Sequence, residues 1–89
     1  GITRKRNKDK KEKEYIIVVN AREKTITKKE LSFDEIVHLA FEDPKFGPQY
    51  IYTITYQKGV GKHQGELLPD QNIKIKDGMI FNVQFTDKS

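Results

Sequence analysis

The sequence predicts an α+β domain in which one helix packs on one face of a β-sheet. Three observations carry this. A β-branched and aromatic run starts abruptly at Tyr15. Residues 50–57 and 79–85 alternate apolar and polar with period two, as half-buried strands do. One stretch between the two groups of strands, beginning at Ser32, has helical spacing instead. The element order is β-β-α-β-β-β.

The first strand is Tyr15-Ile16-Ile17-Val18-Val19. It is apolar on both sides, which suits a central position. Residues 20–24 are polar and turn-like, and Thr25-Ile26-Thr27 returns as a second strand, closing a hairpin. Ser32 then opens the helix. Glu35 follows at the third position, giving a Ser-x-x-Glu capping box, with Leu31 and Ile36 placed as a hydrophobic staple. Phe33, Ile36, Val37, Ala40 and Phe41 form the apolar stripe. Pro44 ends the helix, because the residue before proline avoids the α region.

In the third strand Tyr50, Tyr52, Ile54 and Tyr56 face the core, and Ile51, Thr53, Thr55 and Gln57 face away. Residues 58–65 form a glycine-bearing loop. Glu66-Leu67-Leu68 is a short strand stopped by Pro69, and residues 70–76 are a connection with some extended character. Asp77-Gly78 is a turn. Met79, Phe81, Val83 and Phe85 then give the last strand its core face, with Ile80, Asn82 and Gln84 opposite.

Charge divides the chain. Residues 1–14 hold seven bases and three acids, which is the whole net charge of +4. Residues 15–89 hold ten of each and 30 of the 31 hydrophobic residues. The first segment is expected to be a disordered basic tail or linker, because one apolar residue cannot offset the entropy of ordering it. The rest is expected to be one small domain. Its neutrality argues against a basic nucleic-acid-binding fold, which carries its bases on a structured face. Tyr50, Tyr52 and Tyr56 alternate in register with Ile54, which marks them as core rather than as a base-stacking platform.

Catalytic signals are absent. There is no cysteine, hence no thiol nucleophile or cysteine-based zinc site. His38 and His63 are expected on the surface. Gly59-Val60-Gly61-Lys62 imitates a phosphate loop, but the glycine spacing is too short and His63 stands where Ser or Thr is needed. Ser32 is used as a cap. No apolar run approaches the roughly 20 residues that span a bilayer, and nothing reads as a signal peptide. The expectation is therefore a non-enzymatic domain that binds no cofactor and no metal.

Several segments together resemble the prokaryotic multi-ubiquitin family of ubiquitin-like domains. They are Val19-Asn20, Leu39-Ala40-Phe41-Glu42-Asp43-Pro44, Tyr52-Thr53-Ile54-Thr55-Tyr56, Lys76-Asp77-Gly78-Met79-Ile80-Phe81-Asn82-Val83 and Thr86-Asp87-Lys88-Ser89. The resemblance covers residues 15–89. It implies a β-grasp fold, in which the sheet is mixed. It also implies a cytoplasmic bacterial protein modifier, with links to antiviral defence. Its partners would be an activating enzyme, a conjugating enzyme and a deconjugating metallopeptidase, and tandem copies of itself. ATP and Mg²⁺ would be used by the activating enzyme, not by this chain.

By the same resemblance Thr86, Asp87, Lys88 and Ser89 would be the conjugation terminus. They lack the two glycines of ubiquitin, whose missing Cβ suits a narrow channel. Three readings follow: enzymes that accept a Ser terminus, a longer or trimmed native chain, or noncovalent binding. The sheet face away from the helix offers Ile16, Val18, Ile51, Thr53, Ile80 and Asn82 as a partner surface, with Lys62 and His63 as loop contacts. The alternatives to a modifier are a noncovalent β-grasp scaffold module and a small nucleic-acid-binding protein acting through its tail.

Overall fold

Beyond Val19 the chain reverses in two residues. Asn20 and Ala21 both have positive φ, 52° and 68°. Paired left-handed residues make a turn whose twist matches that of the flanking strands. The computed structural model, which describes residues 13–58 and 63–88, accordingly places β1 at Tyr15–Val19 and β2 at Arg22–Ile26. The second strand thus starts three residues before the expected Thr25. Arg22, Glu23 and Lys24 looked like turn residues, but β2 is an edge strand and charges are at home there.

After β3 (Glu30–Ser32), helix α1 runs from Phe33 to Ala40. Ser32 is its N-cap. The Ser32 Oγ accepts the Glu35 N–H at 3.2 Å, and a Glu35 carboxylate oxygen accepts the Ser32 N–H at 2.8 Å. Phe41 closes the helix in extended conformation (φ −132°, ψ 139°), three residues before Pro44. Phe33, Ile36 and Val37 are buried beneath it.

Glu35 also pairs with Lys28. The Lys28 ammonium, followed by the Ser32 N–H, lowers the Glu35 pKa below its ordinary 4.5. A depressed carboxylate contributes stability that is present above 4.5 and lost as pH falls through the lower folded value. Both partners are largely solvated, so the effect is small, under about 1 kcal/mol. The stability advantage of the native chain over Glu35→Gln should therefore shrink as pH drops below 4.5. Urea midpoints of the two proteins across that range measure it.

The remaining strands are β4 (Tyr50–Gln57), β5 (Gln64–Leu67), β6 (Asn72–Lys74) and β7 (Ile80–Asp87). Five strands form one sheet in the order β2-β1-β7-β4-β5. Among the described residues only β1 and β7 are parallel, with Val18 opposite Ile80 and Val19 opposite Phe81. A side chain stitches each end of this parallel pair. At one end an Asp77 carboxylate oxygen accepts the Ile16 N–H at 2.6 Å. At the other, the Asn20 amide exchanges two hydrogen bonds with the Val83 backbone. Gly78 has φ +86°, the left-handed conformation that the Asp77-Gly78 turn requires.

A smaller ladder of β3 on β6 joins Leu31 to Ile73. Ile75 then donates its N–H to the Lys29 carbonyl at 2.8 Å. These buried residues close one end of the core. The expected connection over 70–76 is therefore partly a strand, paired to a segment whose polar Lys28-Lys29-Glu30 lead concealed it. Ile17, Ile36, Val37, Ile54, Met79 and Phe81 are fully buried between sheet and helix. The alternation read in β4 and β7 matches the observed faces. The chain adopts an α+β grasp fold, a mixed five-stranded sheet with one helix packed against it.

Candidate interaction surfaces

The C-terminal residues are part of the sheet. Thr86 and Asp87 end β7, opposite Ile51 and Tyr50 of β4. The Lys88 N–H donates to the Gln49 carbonyl at 2.7 Å. Ser89 lies outside the described residues. Pairing of this kind holds Thr86, Asp87 and Lys88 against β4, so extending them into an enzyme channel requires peeling them from it.

The helix-distal face divides into two regions. Val18 and Ile80 are register partners, and Ile16 stands two residues earlier on the same side of β1. Ile16 is 48% exposed. This is an apolar corner of three residues. Ile51 is also exposed, but it pairs with Thr86, whereas Ile80 pairs with Gln57 at the far end of β4. Six residues of strand separate Ile51 from that end, roughly 20 Å. Between them lie Thr53 opposite Gln84 and Thr55 opposite Asn82. The six candidates share a face, but its middle is polar and Ile51 stands apart from the corner. Lys62 is outside the described residues. His63 is exposed, and its carbonyl accepts the Lys58 N–H at 2.9 Å, closing the loop.

A second surface lies where β7 and β4 run past the end of α1. Phe85 continues the core face of β7, yet it is 44% exposed because the helix stops at Ala40. It packs at 5.9 Å on Tyr50, nearly parallel, and at 5.2 Å on Tyr52. Phe41 lies 5.8 Å from Tyr52, and Phe46, half exposed, lies 5.6 Å from it. The Tyr52 hydroxyl accepts the Lys45 N–H at 2.9 Å and donates to the Lys45 carbonyl at 2.8 Å. That pair of bonds pins the segment leaving the helix. Phe41, Tyr50, Tyr52 and Phe85 line a cleft of about 210 Å³, with Asp43, Lys45 and Asp87 also in its wall. Sequence periodicity missed this cluster. The only signal was that the stripes of α1 and β7 each end on a phenylalanine, beside a stretch rich in Pro and Gly.

The Ser32 Oγ is committed to the Glu35 N–H, and the His38 Nδ1 lies 2.8 Å from the Asp34 carbonyl within the helix. Among the described residues no three His, Cys, Asp or Glu side chains are placed to hold a metal ion. No helix among them is long and apolar enough to cross a membrane.

A family model described as Multiubiquitin matches residues 15–87, from the first residue of β1 to the last of β7. No curated protein and no solved structure matches the chain.

Proposed function

From the premise that the chain belongs to the multiubiquitin family of ubiquitin-like domains, we propose that it is a protein modifier of a bacterial ubiquitination-like pathway acting in the cytoplasm. In this reading it is recognised by an activating and a conjugating enzyme and removed by a metallopeptidase. The observation that supports the reading is the ubiquitin-like grasp fold, matched by the family model from the start of β1 to the end of β7, together with its exposed apolar surface. Chemistry would be supplied by partners. The activating enzyme would join a C-terminal carboxylate of the modifier to AMP, releasing pyrophosphate. The acyl group would pass to an enzyme nucleophile with loss of AMP, and then to an amine of the target. Residues 1–14 would serve as a leader or linker rather than as the recognition element.

Incubation with the cognate activating and conjugating enzymes and ATP–Mg²⁺ tests this by intact mass. The expected product is an adduct heavier by the chain minus one water. An unmodified chain, with enzymes shown active on another modifier, refutes conjugation.

A specific observation favours a second reading, a noncovalent scaffold module. Thr86, Asp87 and Lys88 are paired to β4 and Gln49. If the enzymes retain the chain in stoichiometric complex yet form no adduct, and deleting residues 87–89 leaves the complex intact, the scaffold reading stands in its place.

A further inference from the structure

We propose that the groove between β2 and α1 binds an extended acidic segment of a partner protein, which joins the sheet as a further strand beside β2. Among the described residues β2 has one neighbour, β1, so its other edge is open. The direction of its peptide groups follows from β1. Ile16 and Val18 donate their N–H groups away from β2, to the Asp77 carboxylate and the Met79 carbonyl. The alternate residues Ile17 and Val19 therefore face β2, where they pair with Lys24 and Arg22. That leaves the N–H and C=O groups of Glu23 and Thr25 pointing outward, the row that an added strand takes up. A helix satisfies its own peptide groups and would leave these unused.

The side chains beside that edge select the occupant. Arg22, Lys24 and Ile26 lie opposite Val19, Ile17 and Tyr15, so they share the helix side of the sheet. At one end the groove has a volume of about 400 Å³ and is lined by Arg22, Lys24 and His38, with Glu42 as its one carboxylate. It continues past His38 and Leu39 into a depression of about 370 Å³ walled by Ile26 and Leu31. There Lys28 and Glu35 neutralise each other. Neither Arg22 nor Lys24 has an ion-pair partner among the described residues, so two cations stand against one acid. A segment with carboxylates for one end and aliphatic side chains for the other fits both.

The chain's own N-terminal segment departs beside this groove, because Tyr15 pairs with Ile26. Reach does not select it. Residues 1–14 hold seven bases, three acids and one apolar residue, Ile2. They carry the charge that Arg22 and Lys24 repel, and no aliphatic run to cover Ile26 and Leu31. A second copy offers the same segment. Its other open edge, β5, carries one acid, Glu66, paired with Thr55 on the face away from the helix. A copy continuing the sheet with both helices on one side would set Glu66 opposite to the face of Arg22 and Lys24. Charged residues on an edge strand discourage unselected pairing. A strand of opposite charge turns the same residues into a recognition element.

The test uses the full chain and a synthetic peptide in which a Val-Ile run is flanked at both ends by Asp and Glu. The peptide should shift the amide resonances of Glu23, Thr25 and Leu39, and slow hydrogen exchange at the first two. N-methylation throughout its run removes the donors of the new ladder and should abolish that protection. With Asn and Gln in place of its acids the peptide should bind about threefold or more weakly, and the difference should shrink at high salt. The double variant Arg22→Glu, Lys24→Glu should bind the acidic peptide more weakly by a similar factor and prefer a peptide flanked by Lys. Resonance dispersion reports that the variant is folded. Unmoved Glu23 and Thr25 amides overturn the proposal, as does equal binding of the N-methylated or the neutral peptide. Inorganic polyphosphate that shifts the same amides as the peptide does would mark a general anion site in its place. Slow exchange at Glu23 and Thr25 before any peptide is added would show the edge already occupied by the chain itself, and would overturn the proposal too.

Discussion

Phe81→Ala is expected to destabilise the domain by about 3–5 kcal/mol, the usual cost of emptying a buried phenylalanine site. Phe81 has no exposed surface. It sits in β7 with Val19 of β1 opposite on one side and Tyr56 of β4 opposite on the other, the Tyr56 ring 6.4 Å away. Two flanking strands and a helix fix the walls, so the cavity cannot collapse cheaply. Small domains have about 5–15 kcal/mol in total and bury a smaller fraction of their surface than large ones. At the low end of that range, where a domain this small belongs, the variant should retain about half its stability or less. In urea its midpoint should fall with the slope unchanged, as expected when stability but not the exposed area changes. Phe85→Ala is the control. It lies four residues on, on the same face of the same strand, but is half open to solvent, and should cost less than half as much. Equal losses would contradict the placement of Phe85 beyond the covered core.

The legible parts of this fold are those in which one residue type decides one local geometry. Ser32 and Glu35 at capping-box spacing mark the helix start, because little else satisfies both N–H groups so economically. Strict alternation in β4 and β7 gives their faces, because the strand period leaves no other choice. Where a decision depends on a neighbour, the sequence is silent. Arg22-Glu23-Lys24 is a strand only because β1 lies beside it. Glu30–Ser32 and Asn72–Lys74 are strands only because each meets the other. The same limit governs the surfaces. Facing assignments for Ile16, Val18, Ile51, Thr53, Ile80 and Asn82 could be read, but their separation along the sheet depends on the pairing of Ile80 with Gln57 and Ile51 with Thr86. The aromatic cleft depends on how far β7 overruns a helix of eight residues, which no periodicity encodes.

Asn20→Ala is expected to cost about 2–4 kcal/mol, a large loss for a residue in a surface turn. The chain turns away from β7 at this point, so β1 has no further peptide group to offer. The Asn20 side chain supplies one instead. Its Oδ1 accepts the Val83 N–H at 2.8 Å, its Nδ2 donates to the Val83 carbonyl at 3.2 Å, and its own N–H reaches the Phe81 carbonyl at 3.0 Å. Alanine removes the first two and leaves part-buried backbone groups without that partner, at about 1–3 kcal/mol. It also occupies φ 52° less readily than asparagine, which tolerates the left-handed region. Asn20→Gly separates the two causes, since glycine accepts the φ but supplies no amide. It should lose about 1–3 kcal/mol and raise the hydrogen-exchange rate of the Val83 amide. Ala21→Gly is the converse. Its φ of 68° is strained for alanine, and relief should stabilise the protein by up to about 1 kcal/mol after the entropic cost of glycine. In a domain this size each 1 kcal/mol shifts Tm by about 4–8 °C, so thermal unfolding resolves all three. If Asn20→Gly is neutral, the stitch contributes nothing. If it is costly, Asn20 is what anchors β7 on the β1 side where the strand begins its run toward Phe85, and the aromatic surface at its end depends on a residue in the first hairpin.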